Sequence, residues 1–199
     1  RSTLFPYTTL FRSQRDSISQ LDCGWIQAYA VDAQEALDLA LMSYYIAEQK
    51  GVSTPFMANL DGFVLTHTYE VVDVPTQGQA DAFLPKFETE NKLDLAHPRN
   101  LGFSAGPAHN TAFKYKEHIG LLNAAKAITE AEDRFAKIFG RRYTGLTESY
   151  RTEDADYILI TLGSIAGLVK ETVDNLREKG EKAGLLRIRY LRPFPNEEI

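Results

Sequence analysis

Cysteine is almost missing from this sequence. Cys23 stands alone among 199 residues, so the chain forms no internal disulfide. Nor can one thiolate hold an iron–sulfur cluster, so any such centre working with the chain sits on another subunit or domain. Basic charge is in short supply too. The 22 Lys and Arg residues face 27 Asp and Glu, giving a net charge of -5. Nucleic acids and anionic membrane surfaces select for a basic face, so neither is an expected partner. No apolar run reaches the roughly 20 residues of a membrane-spanning helix. With a single thiol, this points to a cytoplasmic protein. Neither G-x-x-x-x-G-K-[ST] nor G-x-G-x-x-G occurs, which leaves no case for a nucleoside triphosphate or NAD site. His97 and His109 are too isolated for a metal pattern and are expected at the surface, and His118 is read at a helix start.

What is present looks globular: 44% hydrophobic and 25% charged residues, enough for one large domain or one and a half smaller ones. Residues 1–13 stand apart. They show no helical or strand period, contain no acid, and lack the apolar core and cleavage site of a signal peptide. Leu4 to Ser13 matches the conceptual translation of a common short-read sequencing adapter. The native sequence is therefore expected to begin near Gln14, with its true N-terminal portion absent.

From there the pattern is α/β. Residues 24–30 read as a buried strand. Asp32, with Glu35 three positions on, has capping-box spacing, and Ala36, Leu37, Ala40, Leu41 and Tyr44 then recur at helical spacing until Gly51. Residues 55–60 are a second strand, ending in the turn-forming Asp61-Gly62. Strand, helix, strand at this spacing predicts a parallel sheet. Prolines and glycines break up residues 72–112, leaving room for a short helix over 79–84, and residues 117–139 form a long helix that Gly140 ends. Its apolar side is expected to include Ile119, Leu122, Ile128 and Phe135. Residues 157–162, 165–178 and 184–190 read as a second strand–helix–strand unit, with Ile165, Leu168, Val169, Val173 and Leu176 on the helix's buried face. The chain stops at Ile199, too early for that second sheet to be complete.

Two segments resemble a known family. Gly24-Trp25-Ile26-Gln27, Gln34-Glu35-Ala36-Leu37-Asp38 and above all Asp61-Gly62-Phe63-Val64-Leu65-Thr66-His67 are similar to the latter part of the pyrimidine-binding domain in alpha subunits of pyruvate:ferredoxin oxidoreductases. Residues 154–194, with Gly163-Ser164, Lys179-Gly180 and Leu191-Arg192-Pro193-Phe194, are similar to the transketolase-like domain that follows it. The second pattern is shared with transketolases and 2-oxoacid dehydrogenase beta chains, and only the combination selects the ferredoxin-linked family. The resemblance implies an α/β chain with a partial pyrimidine-binding parallel-sheet domain over 14–75 and a bridging region over 76–150. The start of a transketolase C-terminal-like parallel-sheet domain follows over 151–199.

The resemblance also implies a chemistry. Such enzymes decarboxylate pyruvate oxidatively on thiamine diphosphate with Mg2+, give acetyl-CoA with coenzyme A, and pass electrons through iron–sulfur clusters to ferredoxin. The implied partners are diphosphate-binding, gamma and ferredoxin-like chains. The family's cofactor-activating glutamate and substrate-side threonine lie upstream, and no residue here matches either, so the piece by itself is expected to be inactive. A branched-chain 2-oxoacid substrate, a dehydrogenase-complex beta chain and a non-catalytic α/β scaffold subunit are the rival readings.

The candidate site residues follow from position. Asp61, Gly62 and Phe63 lie at the carboxyl end of a parallel strand, where open α/β sheets contact ligands. The alternative is a turn whose Asp caps amides and whose Phe packs beneath the loop. His67 can hydrogen-bond substrate or move a proton, or make a structural or subunit contact. Asp16, Ser17 and Gln20 are placed to border the cleft. Gly163-Ser164 either holds an anion on free amides or is a βα turn with Ser as N-cap. Cys23 is read as a small buried residue.

Overall fold

The computed structural model describes residues 14–89, 92–98, 100–102 and 104–199. The expectation for residues 1–13 lies outside them. After a short turn of helix, α1 (Arg15–Ile18), the chain runs through β1 (Ile26–Tyr29), α2 (Ala33–Ala47) and β2 (Phe56–Asn59). β1 and β2 pair in parallel, Ile26 opposite Phe56 and Tyr29 opposite Asn59, as the strand–helix–strand spacing predicts. Asp32 caps α2 by accepting the Glu35 amide at 2.7 Å. The side chain of Glu35 does not return the bond to Asp32, as a capping box would. It accepts instead from the Val31 amide and from two arginines far along the chain.

Two short helices, α3 (Val64–His67) and α4 (Gln77–Phe83), lead to the long α5 (Asn110–Phe139), which starts two turns earlier than its apolar pattern suggests. Pro107–His109 form a 3₁₀ turn just before it, and Gly140, left-handed at φ 74°, closes it. α5 packs on α2 and buries Leu121, Ala124, Ile128, Ala131 and Phe135. Phe83, Phe135 and Phe139 make an aromatic cluster with ring centroids 4.2 to 5.8 Å apart. Ile119 and Leu122 are exposed, contrary to expectation, and His118 lies inside α5, not at its start. The helix contacts the core along the line Leu121–Ala124–Ile128–Ala131–Phe135, and both leucine-sized outliers fall off that line.

The second sheet contains β3 (Thr147–Tyr150), β4 (Tyr157–Leu162) and β5 (Ala183–Ile188), in the order β3-β5-β4. β4 and β5 are parallel across α6 (Ile165–Glu178), as expected, and β3 adds an antiparallel edge. α6 buries Ala166 and Val173, with Val169 and Leu176 packed beside them, whereas Ile165 and Leu168 are exposed.

The run read as one strand over 184–190 is two strands. The chain turns at Arg189, and β6 (Tyr190–Arg192) leaves the second sheet to pair antiparallel on β1 of the first. Both sheets are thus mixed, each with a parallel pair at its heart. β3 lies in the expected bridging region and β6 in the expected second domain, so hydrogen bonds cross both borders.

Buried ion pairs hold this junction together. Arg187 donates to Glu35, to Glu148 at 2.8 Å and to the Tyr29 carbonyl at 3.0 Å. Arg189 donates to Glu35 at 2.9 Å and to Glu132 and the Gly145 carbonyl at 2.5 Å each. Lys170 completes the group by pairing with Glu148. Three acids and three bases balance, as they must where Glu35, Arg187 and Arg189 are each only 2% exposed. Burial pushes the Glu132 carboxyl up against the opposing pull of Arg189.

A candidate site at the carboxyl edge of the first sheet

The carboxyl ends of β1 and β2 point the same way, and four stretches distant in sequence meet there. Asp61, two residues past the end of β2, is buried. Its carboxylate accepts the Ser164 amide at 2.5 Å and a hydrogen bond from the Gln14 side chain. Gly163 makes this approach possible. It has φ 71°, and a Cβ there would lie 2.9 Å from one Asp61 carboxylate oxygen and 3.0 Å from the other. The Gly163-Ser164 turn therefore does hold an anion, and the anion is the chain's own Asp61. Ser164 is not a side-chain N-cap: its hydroxyl makes no capping bond and its backbone is already helical. The dipole of α6 favours the negative charge placed at its start.

Beyond Asp61 the loop is built around an unusual backbone. The left-handed φ falls on Phe63 (74°) and not on the neighbouring Gly62. A phenylalanine held there stores of order 1–3 kcal/mol of strain, which persists only where surrounding contacts over-determine it. The contacts are visible. The Phe63 amide donates to the Thr66 hydroxyl at 2.9 Å, Leu65 is buried in the first core, and the Phe63 ring stacks on His67 with centroids 5.1 Å apart. Thr66 also lies 2.9 Å from Nδ1 of His67. Phe63 and His67 themselves are exposed.

The α1 turn flanks this edge. Ser17 is buried, and its hydroxyl donates to the Gln14 carbonyl at 2.9 Å and lies 3.1 Å from the Tyr29 hydroxyl. Gln27, also buried, donates to the carbonyls of Ser17 and Gln20. Burial pushes the Tyr29 phenol up; the Ser17 hydrogen bond opposes this and the nearby Asp16 charge adds to it. Asp16 is exposed and accepts the Ser17 amide at 2.8 Å. Gln20 is engaged locally, accepting from the Cys23 thiol at 3.1 Å and donating to Ser19 at 3.1 Å. Cys23 is exposed, not buried, because it follows a turn that carries it away from β1.

The structure thus gathers Asp61, Gln14 and Gly163-Ser164 at one point and Phe63 with His67 beside it, and it puts Asp16 near Tyr29. It does not bring the Gln20 side chain to them. Gln14 and Thr66 were not singled out from the sequence, although Thr66 beside His67 was the available signal. Among the described residues no group of three or more His, Cys, Asp or Glu side chains is arranged to hold a metal ion.

Known proteins resemble this chain in sequence and fold. Residues 2–133 match the family described as pyruvate flavodoxin/ferredoxin oxidoreductase, thiamine diphosphate-binding, and residues 155–199 match the pyruvate:ferredoxin oxidoreductase core domain II. The pyruvate synthase subunit PorA of Methanothermobacter thermautotrophicus is 44% identical over 191 residues, 96% of this chain and 50% of that protein. The ketoisovalerate oxidoreductase subunit VorA of Pyrococcus horikoshii is 40% identical over 195 residues, 98% of this chain and 49% of that one. The chain spans about half the length of these curated relatives. A 2-oxoglutarate:ferredoxin oxidoreductase from Magnetococcus marinus, solved with 2-oxoglutarate, coenzyme A and succinyl-CoA bound, has the same fold: TM-score 0.51 at 17% identity, covering 87% of this chain and 32% of that one. By its match over residues 2–133, the chain belongs to the thiamine diphosphate-binding pyruvate flavodoxin/ferredoxin oxidoreductase family.

Proposed function

We propose that this chain is part of the alpha subunit of a pyruvate:ferredoxin oxidoreductase. Such an enzyme decarboxylates pyruvate oxidatively with coenzyme A, giving acetyl-CoA and carbon dioxide, and passes the electrons to ferredoxin. One observation carries the choice of pyruvate: 44% identity to a pyruvate synthase subunit along 96% of the chain. A branched-chain 2-oxoacid is the second reading, favoured by 40% identity to a ketoisovalerate oxidoreductase subunit. The proposed partners are the diphosphate-binding, gamma and ferredoxin-like chains, the last carrying iron–sulfur clusters that one cysteine cannot hold. The proposed compartment is the cytoplasm; no helix among the described residues is long and apolar enough to cross a membrane.

Thiamine diphosphate would supply the electron sink for decarboxylation. The described residues do not fit its diphosphate and Mg2+. The amide turn suited to a phosphate, Gly163-Ser164, is filled by Asp61, and no acidic cluster stands near it. Other chains are the proposed source of that half of the site. This chain's own contribution is proposed to be the β2–α3 loop: Asp61 and Gly62 fix its course, and Phe63 and His67 face the reactants. Asp16 borders the same edge, and Gln20 lies farther round it. The test is turnover by the assembled enzyme containing this chain, with pyruvate and 3-methyl-2-oxobutanoate compared under the same conditions. A higher kcat/KM for pyruvate supports the reading. A higher value for the branched substrate replaces it with the second, and turnover of neither removes both.

A further inference from the structure

We propose that Thr66 holds His67 as its Nε2–H tautomer, and that this N–H is a preset hydrogen-bond donor to a carboxylate oxygen of a 2-oxoacid. The tautomer follows from the geometry alone, whereas the identity of the ligand rests on the functional reading above.

The Thr66 hydroxyl has one proton to give. One of its lone pairs already takes the Phe63 amide at 2.9 Å, and His67 Nδ1 lies 2.9 Å from the same oxygen. A relay from the Phe63 N–H to Thr66 Oγ1, and from the Thr66 O–H to Nδ1, satisfies every group in turn, each bond polarising the next. The reverse assignment, Nδ1–H donating to Thr66, would occupy both lone pairs of the hydroxyl oxygen and leave its proton without an acceptor among the described residues. With Nδ1 accepting, a neutral imidazole carries its proton on Nε2. Nε2 has no hydrogen-bond partner among the described residues.

The ring is also fixed in direction. Phe63 stacks on it at an interplanar angle of 26°, and Phe63 is held at its left-handed φ by the same Thr66 bond. Leu65 anchors the short α3 in the core, and Asp61 ties the start of the loop to α6. A donor supported this way keeps its aim without a ligand to organise it. It is exposed at the end of the short helix that follows β2, with the Phe63 ring on one side, on the edge of the sheet where parallel strands place ligand contacts. An anionic oxygen is the acceptor that gains most from such a donor. Thr66 is a positioning residue in this arrangement; His67 makes the contact.

Histidine-selective 15N labelling of the 199-residue chain tests this. Long-range proton–nitrogen correlations, recorded above the ordinary histidine range near 6.5, show which ring nitrogen is protonated, and His67→Gln identifies the signals. Wild type should show a protonated Nε2 and a bare Nδ1. Thr66→Val should give a mixture of tautomers, and Thr66→Ser, which keeps the hydroxyl, should restore the wild-type pattern. Pyruvate should shift the His67 nitrogens saturably, with about fivefold weaker apparent affinity in Thr66→Val, the worth of one net hydrogen bond. A protonated Nδ1, a tautomer unchanged in Thr66→Val, or a His67 indifferent to pyruvate each overturns the proposal. Should His67 fail while the assembled enzyme oxidises pyruvate, the inference falls and the functional reading stands. Should His67 behave as described while the assembled enzyme turns over no 2-oxoacid, the functional reading falls alone.

Discussion

The Asp61 carboxylate sits 2.5 Å from the Ser164 amide, across a sequence separation of 103 residues. It closes the helix start that would otherwise be open to an external anion, and it fixes where the Phe63–His67 loop begins. Replacing it with Asn removes the charge facing the α6 dipole, and replacing it with Ala removes the cap altogether. Asp61→Ala should lower unfolding stability by about 1–2 kcal/mol, with Asp61→Asn in between. Urea unfolding measures the loss, and faster hydrogen exchange at the Ser164 amide locates it.

Gly163 and Gly180 provide a matched comparison. Both have left-handed φ, 71° and 89°, but a Cβ on Gly163 meets Asp61 while one on Gly180 meets nothing within 4 Å. Gly180→Ala should cost about 1–2 kcal/mol, the strain of an L-residue in that conformation. Gly163→Ala should cost about 1–3 kcal/mol more, because the carboxylate must move. In an Asp61→Ala background that excess should disappear, which unfolding of the double variant checks.

Arg189 ties α2, α5 and the β5–β6 junction through Glu35, Glu132 and the Gly145 carbonyl. Arg189→Met should destabilise by roughly 3–5 kcal/mol, since it leaves two buried carboxylates short of their cation. That is a large share of the roughly 5–15 kcal/mol that keeps a domain folded. The urea midpoint should fall accordingly. A change below about 1 kcal/mol would contradict the role given to the network.

Glu148 sets a pH dependence. Burial pushes its carboxyl up, but Lys170 and Arg187 together hold it below the usual glutamate value. A carboxyl depressed by folding stabilises above its unfolded pKa, near 4.3, and that contribution is lost as pH falls through the lower folded value. Stability measured from pH 6 downward should therefore fall less steeply in Glu148→Gln than in wild type over this acid range. Parallel slopes would contradict the depression.

Much of this fold was legible in the residues. β4, α6 and the parallel pairings follow from period and punctuation, and Asp61 and His67 stood out by position. The rest was hidden for physical reasons. Thr147-Glu148-Ser149-Tyr150 carries no apolar alternation, because an edge strand with one polar face needs none. The turn at Arg189 was invisible because residues 184–190 read as one unbroken run. Arg187 and Arg189 look like solvent-facing strand positions, yet both are buried, and their partners come from α2, α5 and β3. Likewise no local pattern says that Asp61 will be the anion at Gly163-Ser164. Such pairings exist only once the chain has folded.

The most direct measurement of the central claim is electron transfer by the assembled enzyme that contains this chain. Pyruvate, coenzyme A and oxidised ferredoxin are mixed, and reduced ferredoxin is followed together with acetyl-CoA. The account predicts that both products appear together and that omitting either pyruvate or coenzyme A abolishes sustained turnover. Ferredoxin that stays oxidised with pyruvate and with every other 2-oxoacid supplied would contradict it.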